Sequence, residues 1–172
     1  MRKKKLKNKS STYIISILIS VLVLIIDQIS KAYISTNITL GAEPARFIKG
    51  LINITYIHNT GGAWGMLSGK TWILIIVTAI VMIGCIVVLI MNFKKQPLLF
   101  WSISLVVSGG IGNLIDRIFR DGKVIDFLHF DFWPSFPVFN IADCAIVIGA
   151  ALLFYYALFA DFIFKKDKNE NN

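Results

Sequence analysis

The chain has 172 residues, 56% of them hydrophobic and only 16% charged. That composition excludes an ordinary soluble domain and points to a bilayer. The formal net charge of +8 lies mainly in tails flanking apolar segments, where attraction to anionic headgroups accounts for it, so no nucleic-acid partner is expected.

The first predicted element is a span over Tyr13–Ile34, because about 20 mostly apolar residues cross about 30 Å of hydrocarbon as a helix. It follows a basic run as a secretory signal would, but "IIDQISK" stands where a small-residue cleavage site belongs, so it reads as an uncleaved span. Asp27 and Lys31 are four residues apart on one helix face. Spacing alone makes them a structural ion pair, with Lys31 snorkelling to the interface.

The loop over 35–70 contains "LINITYIHN", whose alternation of Ile52, Ile54 and Tyr56 with Asn53 and Thr55 predicts a half-buried strand. "NTGGAWG" then breaks the strand, its glycines permitting turns and Trp64 suiting a headgroup-level anchor. A small sheet lying on the outer leaflet over the helix ends is expected.

A second span, Trp72–Met91, a tight turn and a third span, Pro97–Ile115, follow. The third ends in "SGGIGNLIDR", where Gly109, Gly110 and Gly112 allow close helix packing and Asn113, Asp116 and Arg117 share a face at i, i+3 and i+4. That face reads equally as an interfacial Asp116–Arg117 pair or as part of a site, with Arg117 holding a nearby carboxylate charged. A second loop, 116–138, carries Asp126, His129, Asp131 and many aromatics. It leads to a fourth span, Phe139–Phe164, with Asn140 as its cap and Asp143 as the acidic third residue of its first turn.

The domain reading is thus one membrane unit over 13–164 between basic tails, 1–12 and 165–172, expected to be disordered. An even number of spans puts both termini on one side. Arg2, Lys3, Lys4, Lys5, Lys7, Lys9, Lys94, Lys95, Lys165, Lys166 and Lys168 all fall on that side, which positive-inside makes cytoplasmic. Asp161 is expected at the cytoplasmic headgroups.

Ionisable groups at membrane depth are paired, face water, or function. Capping alone explains Asp143, but Asp126, in "KVIDFLHF", has no partner at the obvious spacings. If the loop folds back, two carboxylates in one apolar site would share a single proton, as in aspartic proteases. Asp131 reads as a solvated loop residue without a partner. His58, His129, Cys85 and Cys144 lack ligand or nucleophile spacing and read as packing or interfacial groups. A proton- or ion-coupled transporter is a competing class, disfavoured because no inverted repeat or relay across the bilayer is visible. A scaffold with structural ion pairs is another, and it would tolerate charge removal.

Taken together, "DQISK" (27–31), "NTGGAWG" (59–65), "GGIGNLIDR" (109–117), "VIDF" (124–127) and "FNIAD" (139–143) resemble the bacterial lipoprotein signal peptidase family, signal peptidase II, in order and over all but the tails. The resemblance implies a membrane all-α fold of four helices with a small extracytoplasmic β-cradle, and no metal or organic cofactor. The implied activity is that of an intramembrane aspartic endopeptidase that removes the signal peptide from prolipoproteins on the amino side of a diacylglyceryl-cysteine. Asp126 and Asp143 match the catalytic dyad, and Asp116 a supporting position. Asp27, Lys31, Asn59, Gly61, Asn113, Arg117 and Asn140 match residues that line or orient the site. Membrane lipid is the further partner, the enzyme is expected to act as a monomer, and Phe127, Phe130, Phe132 and Trp133 either anchor the loop in the leaflet or pack on the bundle. Gly62 departs from the family pattern, which often has alanine there.

Overall fold

The computed structural model describes the backbone of residues 2–91 and 96–169 and the side chains of 11–91 and 96–159. Four helices, α1 (Arg2–Asn37), α2 (Thr71–Met91), α3 (Pro97–Phe119) and α4 (Ile141–Asn169), are joined at one end by three strands, β1 (Ala45–Ile48), β2 (Ile52–Asn59) and β3 (Val124–Phe130). Apolar stretches long enough to span a membrane run over Ser11–Asn37, Thr71–Met91, Pro97–Phe119 and Ile141–Phe159. The helical backbone continues into both basic tails, against the expectation of disorder, because Lys is a good helix former once a helix is nucleated. The tail charges, Lys94, Lys95 and Asp161 lie outside the described side chains.

Helix α3 is the centre of the bundle, packing against α4, α1 and α2, whereas α2 is almost wholly peripheral. Glycine makes the close approach possible. A Cβ on Gly112 would lie 2.8 Å from Asp27 Oδ2 and 3.1 Å from Ala142 Cβ, so only hydrogen lets α1, α3 and α4 meet there. The third helix runs four residues beyond the predicted Ile115, because Asp116 and Arg117 find partners inside the protein and do not end it. It stops where Asp121 and Gly122 take left-handed φ of 52° and 80° and the Gly122 N–H reaches the Arg117 carbonyl at 3.0 Å, a Schellman-type ending.

The sheet has the order β1-β2-β3, antiparallel throughout. Strand β3 was not foreseen, since its run of apolar and aromatic residues has no two-residue alternation; it forms by pairing along β2, with Ile57 opposite Asp126. Its outer edge is closed by Phe139, which exchanges hydrogen bonds with Leu128 at 2.8 and 2.9 Å. Tyr56, Ile125 and Phe127 pack on Ile34 of α1, which seats the sheet over the helix ends.

In strand β2 Asn53, Thr55 and Tyr56 are buried and Ile52, Ile54 and Ile57 only half-buried, with a bulge between Ile54 and Ile57, so it is the polar residues that are covered. Asn53 donates to Asp131 Oδ1 at 3.0 Å and Thr55 to the Ala42 carbonyl at 3.3 Å. Asp131 also accepts the Gly50 N–H at 3.0 Å; it is therefore a partnered clamp between β3 and the β1–β2 hairpin rather than a free loop residue, and these donors hold its carboxyl below the usual range.

Between β2 and α2 the chain makes a tight loop with a 3-10 turn over Ala63–Gly65. A Cβ on Gly61 would fall 2.8–2.9 Å from the backbone of Gly65 and Met66, while one on Gly62 would meet only ordinary contacts at 3.7 and 3.9 Å. The departure at Gly62 is therefore sterically neutral. Gly61→Ala is expected to lower the melting temperature of the detergent-solubilised protein by the equivalent of about 1–3 kcal/mol. Gly62→Ala is expected to stay within about 0.5 kcal/mol of the parent in the same thermal-shift measurement.

Candidate active site

Where α1, α3, β3 and α4 converge beneath the sheet, the bundle buries a layer of charge. Lys31 has 0% of its surface exposed. Its ammonium lies 2.9 Å from Asp27 Oδ2 and 3.0 Å from Asp116 Oδ2, and donates to Asn113 Oδ1 at 3.1 Å, so all three of its protons have acceptors. Spacing correctly pairs Lys31 with Asp27, but snorkelling does not occur, because the interior supplies a complete acceptor shell.

The two carboxylates of this layer also organise backbone. Asp27 Oδ1 accepts the Ala142 N–H at 2.8 Å, capping α4 from another helix, and Asp116 Oδ2 accepts the Ile125 N–H at 3.2 Å, fixing β3 beside Asp126. The ion pairs of Asp116 are with Lys31 and with Arg120 at 3.3 Å, not with Arg117. Adjacent residues on a helix point about 100° apart, so the Arg117 side chain is directed elsewhere. It donates to the Gly61 carbonyl at 3.0 Å and, more weakly, to the Asn113 carbonyl at 3.5 Å, tying the 61–65 loop to α3. Its hydrogen bonds thus go to carbonyls, while its charge acts on Asp143, Asp126 and Asp116 through space.

Above this layer sit Asp126 and Asp143. Asp126 is 1% exposed; Asn140 donates to its Oδ1 at 2.6 Å and Asn59 to its Oδ2 at 2.9 Å. Asp143 accepts from Asn113 at 2.7 Å through Oδ1 and from the Asn140 N–H at 3.1 Å through Oδ2. Asn140 Oδ1 in turn accepts the Asp143 N–H at 2.9 Å, completing the expected reciprocal cap of α4. One asparagine therefore touches both carboxylates, and Asn113 joins Asn140 (3.1 Å) to Lys31. Burial, and after it the charge of Asp143, push the Asp126 carboxyl up to about 7, against the opposing effect of the donors Asn59 and Asn140.

Every residue matched by motif is found in this network: Asp27, Lys31, Asn59, Gly61, Asn113, Asp116, Arg117, Asp126, Asn140 and Asp143. Two participants were overlooked. Gln28 donates to Asp27 at 3.1 Å, to the Gly112 carbonyl at 3.2 Å and to Asp116 at 3.3 Å, and Arg120 pairs with Asp116. An amide inside an apolar span signalled the first, and the i, i+4 spacing from Asp116 the second. The histidines lie apart: His58 Nε2 meets the Tyr56 hydroxyl at 2.7 Å, and His129 Nε2 meets the Pro134 carbonyl at 3.2 Å.

A mostly apolar cleft of about 520 Å³ opens beside Asp143, with Asn59, Trp64, Phe130, Phe136 and Phe139 on its walls. The loop aromatics divide between the two expected roles. Phe127 is buried in the core under the sheet, whereas Phe132 and Trp133 are at least half exposed, and Trp64 is exposed with its ring edge on Phe136.

The family model described as signal peptidase (SPase) II matches residues 19–159, a range that contains the whole network. The lipoprotein signal peptidase of Enterococcus faecalis is 40% identical over 159 residues, covering 92% of this chain and 97% of that one. That of Staphylococcus aureus is 41% identical over 154 residues, covering 89% and 93%. Two solved bacterial membrane enzymes, determined by the in meso method, superpose with TM-scores of 0.74 and 0.71, each at 38% identity, over 86% and 83% of this chain and 88% and 92% of theirs. A family match through all four helices and the sheet, with relatives this similar along nearly their full length, means that this four-span membrane protein belongs to the signal peptidase II family.

Proposed function

We propose that this protein is an aspartic endopeptidase that removes signal peptides from prolipoproteins, cleaving on the amino side of a diacylglyceryl-modified cysteine, with Asp126 and Asp143 as the catalytic pair. One observation carries the assignment: two buried carboxylates are linked through a single asparagine, coupled by charge, and bordered by an apolar cleft. The relatives' shared name, lipoprotein signal peptidase, supplies the substrate class. The positive-inside bias puts both termini in the cytoplasm and the sheet end, with the cleft, toward the outer leaflet.

The chemistry needs one proton on the pair. The ionised carboxylate takes a proton from water as the water oxygen bonds to the scissile carbonyl carbon, and the protonated partner gives its proton to the carbonyl oxygen. In the resulting diol one hydroxyl returns its proton to the pair as the carbonyl reforms, the C–N bond breaks, and the leaving nitrogen takes a proton from the pair, which ends with one. Asn59, Asn113 and Asn140 hold the two carboxyls in place, Lys31, itself held by Asp27 and Asp116, anchors the Asn113 amide, and Arg117 with Gly61 secures the loop beside the cleft. Exposed Phe132 and Trp133 suit contact with lipid at the interface, where a lipidated, membrane-embedded substrate arrives by lateral diffusion. The enzyme works as a monomer in this reading, since both acids come from one chain.

Asp126→Asn and Asp143→Asn are each expected to reduce cleavage of a lipidated precursor by about 10²–10⁴-fold while leaving the solubilised protein folded. Precursor accumulation on gels and the melting temperature read the two quantities, and near-normal processing by either variant would sink the dyad. A second expectation concerns pH. Burial raises the Asp126 pKa to about 7, so its proton is held below that pH and lost above it. With the proton required for attack, kcat/KM measured in micelles falls as pH rises through about 7, and a rate that climbs steadily to pH 9 would contradict it.

A further inference from the structure

Each asparagine in the site is oriented by a donor. Asn59 Oδ1 accepts the Gly61 N–H at 2.9 Å and Asn140 Oδ1 the Asp143 N–H at 2.9 Å, so in both the Nδ2 group must face Asp126. Asn113 differs, because no backbone N–H fixes it. Its Oδ1 meets the Lys31 ammonium at 3.1 Å and Asn140 Nδ2 at 3.1 Å, and that second donor is divided among three acceptors, the others being Asp126 Oδ1 and the Ile125 carbonyl. An ammonium has no acceptor, so it tolerates only the amide oxygen; Lys31 thereby turns Asn113 Nδ2 toward Asp143, at 2.7 Å.

We infer that Lys31 is a positioning residue of the peptidase reaction: by fixing the Asn113 amide it places the negative charge of the pair on Asp143 and leaves the shared proton on Asp126. The inference rests on the dyad reading above and deepens it. Asp143 lies at the N-terminus of α4, where the helix dipole favours an anion, and receives a backbone N–H as well as the Asn113 amide backed by a full positive charge. Asp126 stands on a strand, 1% exposed, with two neutral amides as its donors. Asp143 then takes the proton of the attacking water, and Asp126 protonates the carbonyl.

The charged groups around the pair come from every element packed on it: Asp27 and Lys31 from α1, Asp116 and Arg117 from α3 with Arg120 beyond Asp116, Asp126 from β3 and Asp143 from α4; β2 adds the neutral Asn59. The simpler account makes Lys31 a counterion for Asp27 and Asp116 and nothing more. One variant separates the accounts, and a second tests the amide through which Lys31 acts. In D27N/K31M/D116N the buried ion cluster is removed as a unit, and each new asparagine keeps an oxygen for the backbone N–H accepted there; Arg120 alone loses a carboxylate partner, and its side chain is one-third exposed to solvent. Asn113→Leu leaves Lys31 with both carboxylates but removes the N–H that faces Asp143.

Cleavage of a fluorescent diacylglyceryl-cysteine peptide in detergent is measured from pH 4 to 9, with gel filtration and melting temperature to establish folding. Both variants are expected to move the acid limb of kcat up by about one pH unit and to lower kcat about tenfold with KM unchanged, the scale of one charge-assisted hydrogen bond. A folded variant of either kind with the parental pH profile overturns the role of Lys31, and D27N/K31L/D116N decides if the methionine form does not fold, since Asn113→Leu shifts the profile on either account. Asp126→Asn and Asp143→Asn run alongside: if either remains active, the dyad reading itself fails, and if both are inactive, an unshifted profile counts against Lys31 alone.

Discussion

Placing an ammonium group at membrane depth costs several kcal/mol unless its protons are all accepted, and at Lys31 that demand shapes the whole sheet end of the protein. The acceptors come from Asp27 on the same helix and from Asp116 and Asn113 on α3. Asp27 also holds the first turn of α4, and Asp116 holds β3 at Ile125. One buried charge therefore fixes three helices and a strand relative to one another. The approach this needs is possible only because residue 112 has no side chain to displace Asp27.

From that base the site is built of asparagines, and the choice follows from what an amide can do. Each has one end that accepts and one that donates, so it can take a hydrogen from the scaffold and deliver another to a carboxylate without adding charge. A carboxylate in the same place would repel Asp126 and Asp143, and a serine would be too short to join them. The Asn140–Asp143 cap belongs to the same economy of parts, since the hydrogen bonds that start α4 also aim Asn140 at Asp126. Stability and the proposed chemistry share these bonds, so a substitution at Asn140 acts on both at once.

Much of this was legible in the sequence wherever the partner lay within one helix turn. The Asp27–Lys31 pair and the cap of α4 follow from spacing, and the four spans from length and hydropathy. What spacing alone missed depends on contacts between distant segments. Arg117 stands beside Asp116 in sequence yet reaches the Gly61 carbonyl, 56 residues away. Asp131 has no local partner because its donors are on the β1–β2 hairpin. Strand β3 has no alternating pattern to announce it, because its first four residues, Asp126 among them, are buried whichever face they take. The meeting of Asp126 with the start of α4 was inferred from the incongruity of an acid in an apolar run and from the resemblance, since no periodicity encodes it.

The balance of charge bears on how many protons the pair holds. Lys31, Arg117 and Arg120 are the cations of the network, and Asp27 and Asp116 are anions held by direct contact with Lys31 and, for Asp116, with Arg120 as well. With one proton shared between Asp126 and Asp143, the pair adds a single negative charge and the cluster is neutral. With both ionised, the excess charge would fall on two carboxylates that burial already penalises and whose remaining donors are neutral amides and one backbone N–H. With both protonated, Arg117 would lose the anions toward which its charge is directed. The singly protonated pair is thus the state that the surrounding lysine and arginines favour, and it is also the state an aspartic peptidase requires before water attacks.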